Sequence, residues 1–238
     1  MSNRTFDLLL VHGAGGGWEW ALWRHVLEAR GHRVHAPDLQ PAVAGIAATR
    51  YADYAQQVRD AVERLPRPRV LIGASLGGLL ALDAADRADA LVLVNPLPPA
   101  PWHAHLPARA WPDVVRWGRD ARLSSTRRAL ADADAATALA AMRQWRDESG
   151  AVLRAAYAGI VLARPTVPVL CVASQADDDV PPAVTQALAE AWGAERLVSA
   201  ATTHVGPLLG ADAANTARAV DAWLRRHVPA NGRTPSIQ

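Results

Sequence analysis

Residues 71–78 read LIGASLGG. Ser75 stands here among Gly73, Ala74, Gly77 and Gly78, with almost no side-chain bulk around it. The apolar run Arg69-Val70-Leu71-Ile72 leads in, and LLALDAAD at 79–86 leads out. The first run reads as a buried strand and the second as a helix, so the glycines mark a tight strand-to-helix turn. Such a turn could serve packing alone. It also fits G-x-S-x-G over Gly73-Ala74-Ser75-Leu76-Gly77, in which a strained turn lifts a serine hydroxyl above a sheet.

The same rhythm extends in both directions. Strands are expected at 6–11, 33–36, 69–73, 89–95, 167–174 and 195–200, and helices at 18–30, 51–65, 76–87, 182–193 and 212–227. Strands that are continuously apolar, alternating with helices, predict a parallel sheet covered on both faces. Residues 96–166 break the alternation. They open with PLPPAPWHAHLP, which suits neither a helix nor a central strand, and continue as three helical stretches with no obvious strand. This segment reads as a helical insertion between two strands. The tail 229–238 is polar and turn-rich and is expected to fray.

Composition narrows the function. The chain has 238 residues, half of them hydrophobic, enough for one large core. The net charge of +2, with scattered arginines, argues against a nucleic-acid partner. No apolar run reaches the roughly 18 residues of a membrane span. The N-terminus runs straight into a strand without signal-peptide features, so a cytoplasmic location is expected. The single cysteine, Cys171, lies in VPVLCVA and reads as a buried small hydrophobe. There is no lysine, which with the abundant alanine suggests a GC-rich bacterial gene.

A serine nucleophile needs a base and a group to orient that base. Of eight histidines, His204 falls between the last strand and the last helix. In a parallel sheet that is the carboxyl edge, on the side of Ser75. Asp177, Asp178 and Asp179 follow the strand before it; Asp177 is chosen because it lies three residues ahead of Val180-Pro181. The amide of Leu76 should serve as one oxyanion donor, and the loop His12–Trp18 after the first strand should supply the other. A phosphate-binding reading of that glycine run fails, since the phosphate-loop and dinucleotide patterns are both missing. Metal ligation by His103 and His105 is disfavoured for want of acidic or cysteine partners at ligand spacing.

Four signals therefore stand in order: HGAGGGW, GASLGG, D-x-x-V-P and a histidine before the last helix. Together they resemble the α/β-hydrolase superfamily over nearly the whole chain. The opening LLLVHGAGGGWEWALWRHVLEARGHRVHAPDL is similar to the plant methyl-esterase and hydroxynitrile-lyase branch. The resemblance implies one domain over 1–238: a six-stranded, mainly parallel sheet flanked by helices, with 96–166 as a helical cap. It implies a Ser75–His204–Asp177 triad, Ala14 as the second oxyanion donor, and cleavage of a small-molecule carboxylic ester through an acyl-enzyme without metal or cofactor. A thioesterase or lactonase would use the same triad, and a non-catalytic binding homologue is the rival from another class. The lyase branch typically pairs its histidine with a lysine and places a hydroxyl residue at the oxyanion loop. Val205 and Ala14 stand there instead, so cyanohydrin cleavage is disfavoured. Trp102, His103 and Trp145 of the cap are the candidate substrate contacts. The oligomeric state is not legible.

Overall fold

A computed structural model describes residues 4–229; most of the tail predicted to fray lies outside them. In chain order the elements are β1 (Asp7–Val11), α1 (Ala21–Ala29), β2 (Arg33–His35), α2 (Tyr51–Glu63), β3 (Arg69–Ala74), α3 (Leu76–Asp83) and β4 (Ala90–Val94). The insertion holds β5 (Val114–Val115), α4 (Leu123–Ala129), α5 (Ala135–Met142), β6 (Glu148–Ser149) and α6 (Gly150–Ala158). The chain closes with β7 (Val169–Ala173), α7 (Pro182–Trp192), β8 (Glu195–Val198), α8 (Gly206–Leu209) and α9 (Ala213–His227).

Six strands form one sheet in the order β2-β1-β3-β4-β7-β8, and every pair is parallel. The four inner strands are buried along their length save for half-buried Arg69 at the start of β3. Successive side chains point to opposite faces, which explains the unbroken apolar runs. Leu9, Val11, Leu71, Leu91 and Cys171 pack with α2, α3 and α7. Leu8, Leu10, Val70, Ile72, Val92 and Val172 pack with α1 and α9. Burial pushes the Cys171 thiol up to about 12, in keeping with a core residue.

The insertion departs from its sequence reading. Residues 108–120, expected to be helical, are largely irregular around Pro112. Val114 and Val115 pair antiparallel with Ser149 and Glu148, a two-residue ribbon too short for an alternation signal. The long alanine-rich helix breaks into α4 and α5, where Asp134 accepts the Thr137 amide at 2.7 Å as an N-cap.

The topology places the site. From β1 the chain winds one way to β2 and the other way to β3. Ligands of such sheets bind in the crevice where the winding reverses, beyond the carboxyl ends of the strands. Here that crevice lies between the loop after β1 and the turn after β3.

Candidate active site

Ser75 sits on the turn between β3 and α3 with φ 53° and ψ −122°, a backbone region costly for a residue with a Cβ. Hydrogen bonds hold it there. Its N–H donates to the Val94 carbonyl at 3.0 Å, and its carbonyl accepts the Gly78 and Leu97 amides, each at 2.9 Å. The crowd of glycines follows from the packing. A Cβ on Gly73 would lie 2.2 Å from the Gly77 carbonyl oxygen, and one on Gly77 would lie 2.1 Å from the Val11 oxygen. On Gly78 it would meet Pro96 at 2.7 Å. The helix can begin directly behind Ser75 only because these positions carry no side chain.

His204 lies on the loop between β8 and α8. Its Nδ1 is 2.6 Å from Asp177 Oδ2. A carboxylate only accepts, so Nδ1 carries the proton and Nε2 is left with a free lone pair. Asp177 is nearly buried, and its Oδ1 accepts the amides of Asp179 and Val180 at 2.8 and 3.0 Å. These bonds fix the carboxylate and single out Asp177 from its neighbours. Burial acts to lower the pKa of His204. The charge and hydrogen bond of Asp177, with the charge of Asp179, outweigh it and hold the imidazole above its ordinary value.

The loop after β1 comes up beside the serine: a Cβ on Gly13 would be 3.1 Å from that of Ser75. His12, fully buried, shapes this loop. Its Nε2 accepts the Leu39 amide at 2.8 Å, and its Nδ1 lies 2.5 Å from the Gly13 carbonyl. Burial depresses its pKa to about 4, so it remains a neutral structural group. Leu76 is the first residue of α3, so its amide has no carbonyl one turn behind it.

A cavity of about 350 Å³ opens over these groups. Ser75, His204, Gly13, Ala14 and Gly15 form its floor, and the insertion covers it with Trp111, Trp117, Trp145 and Tyr157. Trp145, a predicted contact, is on this wall; its ring meets Trp18 edge-on at 5.2 Å. Trp102 and His103 are not. Trp102 turns into the core against Trp192, with ring centroids 5.6 Å apart. His103 packs on the backbone of Gly159. Arg109 of the insertion is paired with Asp179 on the acid loop, tying cover to floor. Among the described residues, the one potential metal-ligand group is Asp177, Asp179 and His204, within 4.8 Å of one another. The Asp177–His204 hydrogen bond already engages two of the three.

Two participants were missed from the sequence. Asn95, at φ 40° just past β4, donates from Nδ2 to the His204 carbonyl at 2.7 Å and to Ser174 Oγ at 2.8 Å. Its Oδ1 accepts the Ser174 amide at 2.9 Å, and the Ser174 hydroxyl donates to the Thr203 carbonyl at 2.8 Å. Ser174 and the Thr203 carbonyl thus belong to a clamp on the histidine loop. The only hint was a polar residue at a strand's carboxyl end. The second is Glu19, hidden between two tryptophans in WEW.

The alpha/beta hydrolase family profile matches residues 8–220, and the chain belongs to that family. It is 36% identical over 121 residues to "Methylesterase 3" of Arabidopsis thaliana, covering 46% of this chain and 45% of that protein. It is 33% identical over 106 residues to "Pyrethroid hydrolase" of Sphingobium wenxiniae, covering 40% and 37%. The matched region thus spans less than half the length of these curated relatives. Among solved structures, polyneuridine aldehyde esterase superposes with a TM-score of 0.71 at 19% identity, over 92% of this chain and all of that one. Tomato methylketone synthase I superposes with a TM-score of 0.74 at 15% identity, over 94% and 99%. Likeness at this identity concerns the fold.

Proposed function

We propose that the protein is a serine hydrolase cleaving a small-molecule carboxylic ester through an acyl-enzyme. The observation that carries this reading is the Asp177–His204 pair at 2.6 Å facing the same cavity as a serine strained to φ 53°. The partial matches to a methylesterase and a pyrethroid hydrolase support an ester as the bond cleaved.

His204 Nε2 takes the Ser75 proton as Oγ attacks the ester carbonyl. The oxyanion is held by the amides of Ala14 and Leu76, and loss of one such donor costs about a hundredfold to a thousandfold in rate. Asp177 keeps Nδ1 protonated and stabilises the imidazolium. The imidazolium then protonates the departing alkoxide. Water, deprotonated by His204, attacks the acyl-enzyme, and the carboxylic acid leaves as the proton returns to Ser75. The reading needs no metal or cofactor.

The test is turnover of p-nitrophenyl esters of increasing acyl length by wild type and Ser75→Ala, with a fluorophosphonate as a serine-directed label. Wild-type turnover and labelling that both vanish in Ser75→Ala are expected. Turnover that survives in Ser75→Ala removes the nucleophile assignment. A folded wild type that neither turns over nor labels favours a binding role.

A further inference from the structure

Glu19 has no part in the mechanism above, yet it stands in the middle of the site. It lies on the short turn Gly17–Trp20, is 4% exposed, and lines the same cavity as Ser75 and His204. Its carboxyl is wedged against the oxyanion loop: a Cβ on Gly15 would fall 2.1 Å from Glu19 Oε1 and 2.7 Å from the ring of Trp145. Gly15 is therefore a glycine because this carboxyl occupies its side-chain space.

Burial, rather than the surrounding charge, disfavours an anion at Glu19. The neighbouring cation, Arg146, is committed elsewhere, to the Leu39 carbonyl at 2.7 Å and to Asp38 at 3.4 Å. Among the described residues Glu19 forms no ion pair. Arg109 and Arg116 line the same cavity with Asp120 and Asp179, and Arg109 is paired with Asp179. Burial pushes the carboxyl up to about 7, against the pull of His204, the Gly13 amide and Arg146. An anion beside Gly13, Ala14 and Gly15 would also repel the oxyanion that this loop is expected to hold. A neutral carboxyl instead presents an O–H donor to the cavity.

We propose that Glu19 is a substrate-contacting residue that works as a neutral acid, donating a hydrogen bond to an ether or keto oxygen beside the scissile carbonyl, so that α-alkoxy or α-keto esters are preferred. The inference rests on the acyl-transfer reading. It has two signatures. The preference must depend on a donor at position 19, and activity must fall as that donor ionises.

The experiment uses an isosteric pair, methyl methoxyacetate and methyl butanoate, in which one ether oxygen replaces one methylene. kcat/KM is measured from pH 5 to 9 for wild type, Glu19→Gln and Glu19→Leu. Each value is divided by the ester's hydroxide-catalysed rate to remove intrinsic reactivity. Circular dichroism and fluorophosphonate labelling of Ser75 report an intact fold and nucleophile. Wild type is expected to favour the methoxy ester roughly tenfold, the size of one hydrogen bond. Glu19→Gln, which keeps a donor that cannot ionise, is expected to retain the preference and lose the fall in activity above pH 7. Glu19→Leu is expected to bring the ratio near one. An unchanged ratio in Glu19→Leu overturns the proposal, as does an alkaline fall that persists in Glu19→Gln. Should wild type label but cleave neither ester, the pH profile of labelling in wild type and Glu19→Gln decides by the same criterion. A wild type that neither labels nor turns over overturns the hydrolase reading, and this assignment with it.

Discussion

Gly77 shows how closely the turn at Ser75 is built. It lies inside α3, where alanine ordinarily exceeds glycine in helix stability by about 1 kcal/mol. A methyl group there would press on the Val11 and His12 carbonyl oxygens at 2.1 and 2.4 Å. Those atoms are backbone at the end of β1 and the start of the loop after it, so relief requires moving either that backbone or the helix. Gly77→Ala is therefore expected to reverse the usual sign and destabilise by roughly 3 kcal/mol. Urea denaturation checks this; a variant as stable as wild type would mean that the loop yields freely. At the same scale Ser75 is legible in sequence, because the strain of its turn demands small neighbours that can be seen locally. Glu19 is not, because nothing in WEW says which way the carboxyl points.

Between elements, the decisive contacts run from the end of β4 to the loop carrying His204. Asn95 reaches across 109 positions to the His204 carbonyl and across 79 to Ser174. Removing its amide leaves the His204 carbonyl and the Ser174 N–H without these partners, at about 1–3 kcal/mol each. Asn95→Ala is expected to lower thermal stability and to reduce kcat with little change in KM, since the clamp holds the base rather than the substrate. Steady-state kinetics beside a melting curve separate these effects. A lowered KM-weighted affinity at unchanged kcat would assign Asn95 to substrate binding instead. The elements themselves were read well where the apolar period was long. The six strands of the sheet emerge near their expected positions, whereas the β5–β6 ribbon and the break between α4 and α5 depend on pairing and capping too local for periodicity to register.

Across the whole molecule, the insertion is seated on the sheet domain through a buried polar contact. Glu148 of β6 accepts the Tyr54 hydroxyl at 2.9 Å and the Ser149 amide at 2.6 Å on Oε1, while its buried Oε2 has no partner. Burial holds this carboxyl above its ordinary value, despite both hydrogen bonds and the charge of Arg146. A raised folded pKa gives stability that is complete below the ordinary glutamate range and is lost as pH rises above it, because only the unfolded chain ionises freely. Glu148→Gln keeps the acceptor and removes the ionisation. It is expected to raise the melting temperature at pH 8, with the gain shrinking toward pH 4. Differential scanning calorimetry across that range tests it; a gain independent of pH would show that ionisation is not the cause.

Sequence alone determined the alternation of buried strands and helices, the place of the insertion, and Ser75, Asp177 and His204 as candidates at one sheet edge. These features depend on residue type within a few positions, or on the rule that a parallel sheet gathers its loops by end. Tertiary structure alone decided that Trp102 faces Trp192, that Trp145 faces the cavity, that Asn95 and Ser174 grip the histidine loop, and that Glu19 enters the site. Each joins residues distant in the chain, and side-chain direction at such contacts follows from how the layers pack. No local pattern carries that information.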